Sequence, residues 1–489
     1  MKKQWHPPDA GKQQSQKVQN LKNGCCFFYS LLMAFCPLIM ASAICVAQSL
    51  PAFRPIRYEE DYSFLRTDTG STWYPEFKYM PLNKTGNTFL SVGGDLRTRF
   101  TVSRNEKWGG APVAKDAYWV NRALVHTDLR IDKRFRFFLQ LQSGFVNGRN
   151  EQMTVLPVEH NELEVHQLFA EVGLLKDPGQ LILRVGRQEM ACGSLRLVAA
   201  RDYPNVRRAF DGARLLFRKN SIQSSIFYHR VVEDKKWAFD DKVLSPGIEF
   251  WGWYNTASGI PFLQNIELYY LAMDKEQSQW NDVQGHEQRT TIGTRVFGKG
   301  EKLTYDFEGI YQFGHIAESK IRGAWSVSSN LYVMPGSLKF QPKLGLKAEL
   351  ISGDIRSGDG VVQSLNPFFP NGGYFGLPGI IGPTNLFDLH PSVSIKPGKK
   401  ITLGADYDIF WRLSKNDGIY GPASNMIYPA GESDARFIGH QLGVDLNYDP
   451  NAYLNFLVNP YWFWPGSFIK EKSAGKTIFL IYILAQVKF

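Results

Sequence analysis

The densest run of chemically capable side chains lies between Leu181 and Phe217, LILRVGRQEMACGSLRLVAARDYPNVRRAFDGARLLF. It carries Arg184, Arg187, Arg196, Arg201, Arg207, Arg208 and Arg214, with Glu189, Asp202 and Asp211 between them. A guanidinium presents a planar fork of donors that grips a carboxylate at two points. A ring of such groups around a narrow aqueous passage would gather anions and pass them on. The same residues could instead pair with one another across a polar interior and only stiffen it. Composition and spacing leave both readings open.

Other constellations carry less. His160 and His166 flank Glu162 and Glu164, but an i, i+6 spacing has no specific metal geometry. His390, in Asp388-Leu-His-Pro, reads as a structural histidine near a strand start. No Gly-x-Ser-x-Gly, His-Glu-x-x-His or phosphate loop occurs. His229 with Ser224 or Ser225 could imitate a lipid-face hydrolase, yet no acid partner falls in register. The expectation is therefore no enzyme, no metal and no cofactor.

The elements that must position the arginines are strands. Segments of about ten residues alternate apolar and polar side chains between Gly, Asn, Asp and Pro. Leu96, Phe100 and Val102 oppose Asp95, Arg97, Arg99 and Thr101. Ala123, Val125, Leu129 and Ile131 oppose Leu124, His126, Asp128 and Arg130. Leu303, Tyr305, Phe307, Tyr311 and Phe313 oppose Thr304, Asp306, Glu308 and Gln312. A strand predicted from Leu338 to Leu350 sets leucines against Lys339, Lys343, Lys347 and Glu349, and one from Ile401 to Leu413 sets Tyr407 and Trp411 against Asp406, Asp408 and Arg412.

Alternation alone fits any half-buried sheet. Two features favour a barrel with a greasy exterior and a wet interior. The apolar faces carry many Tyr and Trp, in a chain with 34 Phe, 22 Tyr and 12 Trp. The chain also ends in an alternating strand whose last residue is Phe489, the kind of terminus that barrel-assembly machinery recognises. Arginine on a lipid-facing position costs about 2–4 kcal/mol at mid-depth, so strand arginines are expected in the lumen. Long loops are predicted at His229–Glu249, Met273–Gln288, Gly353–Asn385 and Ser414–Phe437, with tight turns at Arg130–Arg134 and Tyr448–Ala452.

The N-terminus reads as an export signal. Five lysines precede an uncharged run from Cys25 to Ala47, and cleavage is expected near Gln48; a retained anchor is the alternative. Four of the five cysteines lie there, so beyond residue 47 only Cys192 remains, as a packing residue, and no disulfide can form within that part. Loss of residues 1–47 removes five Lys and one Asp, which lowers the formal charge from +10 to +6. That balance suits anions; with no basic cluster interleaved with aromatics, nucleic acid is not an expected partner.

The block RVGRQEM…GSLRLVAARDYPNVRRAFDGARL strongly resembles the alginate-export barrel family of Gram-negative bacteria. Further matches follow in order: FLSVGGDLRTRF at 89–100, FFLQLQSGFVNGRN at 137–150, GPTNLFDLHPSVSI at 382–395 and GHQLGVDLNYDPNAYLNF at 439–456. The likeness covers residues 86–489. It implies a monomeric antiparallel barrel of about 18 strands with an arginine-rich constriction that passes an anionic uronate polymer. Arg187 matches a pore arginine of that type, Asp211 and Arg214 fall in the adjoining block, and Phe410-Trp411-Arg412 looks like another shared block. One departure stands out: residues 361–387 hold no charged residue, where the exporters carry several arginines. That weakens alginate as the solute and leaves the barrel intact.

The resulting expectation has three parts: a signal peptide at 1–47, a periplasmic extension or plug at 48–86, and a transmembrane barrel at 87–489 with long extracellular loops. It is an outer-membrane porin that passes anionic saccharides passively. Arg97, Arg99, Arg130, Arg184, Arg187, Arg207, Arg208, Asp211, Arg214 and Arg412 are the expected pore-lining or anion-binding residues. Expected partners are outer-membrane lipid, an anionic poly- or oligosaccharide and the assembly machinery. A loop-closed binding or structural barrel is the main alternative.

Overall fold

The computed structural model describes residues 53–489, except 68–72, 178, 243–246 and 337, with no side-chain detail for 73–75. The predicted signal and its cleavage site lie outside the described residues. Phe53–Phe489 form one compact unit.

Long alternating segments pair in sequence order into one sheet, which closes on itself as a barrel of 18 antiparallel strands. In chain order these begin with β1 (Phe89–Arg104), β2 (Lys115–Ile131), β3 (Phe135–Asn147), β4 (Asn161–Gly173), β5 (Leu181–Gln188) and β6 (Phe210–Lys219). Next come β7 (Ile222–Val231), β8 (Ile248–Ile260), β9 (Gln264–Trp280), β10 (Val283–Lys299), β11 (Leu303–Ile316) and β12 (Ser319–Val333). The last are β13 (Lys343–Ile351), β14 (Leu386–Gly398), β15 (Ile401–Trp411), β16 (Phe437–Tyr448), β17 (Leu454–Pro465) and β18 (Ile478–Lys488). Pairing of β1 with β18, from Asp95↔Lys488 to Arg104↔Phe479, shuts the ring. Closure gives every strand a neighbour on both sides, as a sheet must have where no water can bond its edges. No helix among the described residues is long and apolar enough to cross a membrane.

The alternation sorts side chains as expected. Phe307, Tyr311, Phe313, Leu344 and Leu346 stand exposed on the outside, while Asp95, Arg97, Arg99, Glu308, Gln312 and Glu349 are buried inside. On the outer face Phe387 stacks on Trp411 and His440 on Trp464, the aromatic band that suits an interface between lipid and water.

Two expected boundaries are corrected. Met273–Gln288 is no long loop: β9 and β10 run through it, pairing as far as Trp280↔Val283 around a turn in which Asn281 has φ 39°. Its polar residues resemble a loop in sequence because a hairpin projecting beyond the apolar band needs no greasy face. The strand expected from Leu338 starts only at Lys343; Phe340 and Gln341 adopt φ 69° and 45°, and Pro342 offers no ladder donor.

The connections differ by end. Turns such as 132–134, 220–221 and 399–400 are tight, whereas residues 189–209, 352–385 and 412–436 are long and lie at the other end. Two of the long loops fold inward and pair. Ala199 N donates to Phe369 O at 2.9 Å, Phe369 N to Leu197 O at 2.8 Å, and Asn371 N to Leu195 O at 3.0 Å. Phe368 and Phe369 then pack on Phe210 and Phe250 of the wall, within the largest apolar cluster among the described residues.

Candidate functional site

At the tight-turn end of the lumen is a chamber of about 1080 Å³. Nine cationic side chains and seven carboxylates line it, among them Arg130, Arg136, Arg184, Arg214, Glu171 and Glu267. Residues from the start of the described chain reach its wall. Tyr58 packs edge-on against Phe138 and Phe169, while Arg57 donates to Gly94 O at 2.8 Å and to Phe489 O at 2.9 Å. Arg136 donates to Tyr58 O at 2.6 Å and Arg130 to Glu60 O at 2.7 Å.

The ladder between β5 and β6 decides which arginines reach this water. Arg184 lies directly opposite Arg214, and Arg187 directly opposite Asp211, in an unbroken register. Residues three apart on a regular strand face opposite sides, so both pairs cannot share the lumen. Arg184 faces in: it binds Glu171 (Nε at 2.7 Å) and stacks over the rings of Tyr58 and Phe169 at 4.0 and 4.5 Å. Arg214 faces it across the ladder, donating to Ser225 Oγ at 3.2 Å, with no carboxylate within 4.0 Å among the described residues.

Arg187 and Asp211 correct the expectation. Arg187 shares the outer face with Val185, 51% exposed, and pairs opposite Leu168, 55% exposed. It is buried because residues of the 232–247 loop lie over it, Lys242 O accepting from Nη2 at 3.4 Å. Asp211 meets it with two contacts, 2.8 and 3.1 Å. This is a covered ion pair on the outer wall. Gly186 permits the close packing there: at φ 129°, a Cβ would lie 2.2 Å from Leu168 O.

The other expected residues serve mainly to hold the inward loops. Arg97 donates to the carbonyls of Asp202, Tyr203 and Pro204 at 2.8–3.1 Å, and Arg99 lies between the rings of Tyr203 and Tyr482. Arg207 grips Glu189 (2.5 and 3.0 Å) and contacts Asp202. Burial would raise the Asp202 carboxyl, but Arg207, Arg122 and Arg97 around it hold it far below the usual carboxylate range. Arg208 lies over the Phe369 ring at 4.9 Å. Arg130 lines the chamber and bonds Asp128 and Asp61 at 3.2 and 2.9 Å.

Arg412 is corrected too. It follows the end of β15 and donates to carbonyls of Lys415, Asp417, Ser433 and Ala435, so it clamps the 412–436 loop and lines no passage. His229 likewise leaves the lipid-face reading: it is fully buried on the inner side against Phe210 and Phe227, while Ser224 faces outward and accepts from Trp253. His166 bonds Glu189 at 2.7 Å and His160 packs on Phe145, so they do not converge on a metal.

Several inward groups were missed. Arg122, Arg136, Arg289 and Arg295 sit on the polar faces of alternating segments, where the period of two could have found them. Arg196 could not be found that way. It crosses the lumen from the 189–209 loop to Ser326, Ser328 and Glu349 on the far wall.

Solved structures sharing the fold are outer-membrane barrel porins. OpdO of Pseudomonas aeruginosa matches at 12% identity and TM-score 0.54, over 82% of this chain and 97% of that one. A BenF-like porin from Pseudomonas fluorescens Pf-5 matches at 8% identity and TM-score 0.58, over 82% and 98%. OccAB2 of Acinetobacter baumannii matches at 12% identity and TM-score 0.54, over 81% and 98%. At such identities the likeness concerns fold alone. No curated protein matches the chain. The family model described as alginate export matches residues 88–478, nearly all of the barrel, and the chain therefore belongs to the alginate-export family of outer-membrane β-barrels.

Proposed function

We propose that this barrel is a passive outer-membrane porin for hydrophilic anions, with acidic saccharides as its solutes. The observation that carries the reading is the facing pair Arg184 and Arg214 over the chamber, where only Arg184 has a carboxylate partner. Surplus positive charge in a confined aqueous space concentrates anions without energy input. The protein acts as a monomer, inserted through recognition of its terminal strand by the assembly machinery. Residues 53–67 serve as a partial plug at the periplasmic mouth. Liposome swelling with uronate and neutral sugars of equal size tests the reading: faster uronate entry is expected, and equal rates or strong cation selectivity in bilayers would refute it.

The paired inward loops favour a second reading, in which the barrel is closed at rest. Removing residues 366–381 should then raise conductance severalfold. Negligible conductance even after that deletion would leave a binding or structural barrel.

A further inference from the structure

On the wall formed by β13–β16, three ligand groups converge. Asp388 and His390 stand two residues apart on β14, and Asp408 stands beside them on β15, all on the inner face. A carboxylate oxygen of each aspartate and a ring nitrogen of His390 all lie within 4.8 Å of one another. His390 Nδ1 and Asp408 Oδ1 touch, yet without hydrogen-bonding geometry. Asp406 Oδ2 lies 3.7 Å from His390 Nε2 on the other side of the ring.

Of the surrounding polar groups, Glu349 and Lys347 are occupied elsewhere and Gln441 bonds only Asp408 of the three. Glu349, opposite Asp388 in the ladder, accepts from Arg196 and Tyr374. Lys347, opposite His390, donates to Tyr374 O at 2.7 Å and lies over the Tyr374 ring at 4.1 Å. Gln441 donates to Asp408 Oδ2 at 2.6 Å and also to Phe375 O. Asp388 is left over: it is fully buried, and neither of its oxygens has a hydrogen-bond partner among the described residues. A buried carboxylate without a donor is costly, and either a proton or a counter-charge relieves that cost.

We propose that Asp388, His390 and Asp408 form a binding site for a divalent transition cation of the zinc class. Two carboxylates and one imidazole are a recognised donor set for such an ion, with solvent in the remaining position. Adjacent rigid strands already hold the three within a small closing movement of coordination. The ion would join β14 to β15 beneath residues 371–376, which Lys347 and Gln441 tether from the same wall. It would thus brace the inward loop.

The test uses the full-length protein, refolded and confirmed as a barrel by heat-modifiable gel mobility, then stripped with chelator. Titration with Zn2+ alone should show one equivalent bound, and Co2+ in its place should develop the visible absorption of a low-coordinate site. Asp388→Asn and His390→Gln keep the shape of each side chain and should each abolish that equivalent while the barrel mobility persists. A folded wild-type protein that binds no Zn2+ overturns the proposal. So does an equivalent retained in both variants, since the ion would then sit elsewhere.

Discussion

Replacing Arg214 with Gln removes a lumen cation that no carboxylate balances. The nine cations and seven carboxylates around the chamber leave a surplus of two charges, and the substitution halves it. A unit charge about 4 Å from a guanidinium gains about 1 kcal/mol at the dielectric of bulk water, and more beside a low-dielectric wall. That corresponds to about a fivefold change in local anion occupancy. The chloride-to-potassium permeability ratio, read from the reversal potential across a salt gradient, should therefore fall about two- to fivefold near 0.1 M salt. At about 1 M the screening length shrinks to about 3 Å and the difference should vanish. Arg187→Gln is the control: its charge lies on the outer wall against Asp211, so selectivity should stay as it was. If Arg214→Gln leaves the ratio unchanged at low salt, or Arg187→Gln changes it as much, the assignment of faces is wrong.

Arg187→Gln should act on stability instead, because Asp211 is then buried with its main partner gone; about 3–5 kcal/mol is expected, seen as a lower unfolding midpoint in denaturant. Phe369→Ala should cost about 3–5 kcal/mol of packing between the inward loop and the wall, and should appear as longer open times in single-channel records. The Asp354 carboxyl, at the root of the 352–385 loop, is pushed up to about 7 by burial and by the neighbouring Asp417, Asp282 and Asp359. The folded form thus keeps a proton that the unfolded chain releases near 4. The stability tied to that proton is complete at low pH and is lost as pH rises from about 4 through about 7. Limited proteolysis within residues 355–362 should quicken between pH 5 and pH 8, and Asp354→Asn should remove most of that difference.

The partition of greasy exterior from wet interior was legible along the chain. A period of two separates Leu96, Phe100 and Val102 from Asp95, Arg97 and Arg99 without reference to any neighbour, since successive side chains must leave a strand on opposite sides. Closure into one ring did not follow from alternation, which fits any half-buried sheet; the Tyr- and Trp-bearing apolar faces and the terminal strand ending at Phe489 pointed to it. The same rule, pressed further, would have barred Arg184 and Arg187 from one lumen, because they are an odd number of residues apart. Treating every arginine as inward overlooked a covering loop that shields a charge on the outer wall. The projecting hairpin at Asn281 was hidden for a related reason: beyond the apolar band both faces are wet, and alternation carries no signal.

Local pattern says nothing about where a long loop goes. Residues 361–387 lack charge, and the Phe-Phe pair at 368–369 suggests burial, but only the closed ring supplies the concave wall of Phe210 and Phe250 that receives it. Arg196 meeting Glu349 across the lumen, and Asp388 meeting Asp408 between strands, are likewise contacts between distant positions. Short-range side-chain alternation is set by backbone geometry and can be read one segment at a time. Which charges pair, which stay free and what fills the lumen depend on distances that exist only after the sheet has closed.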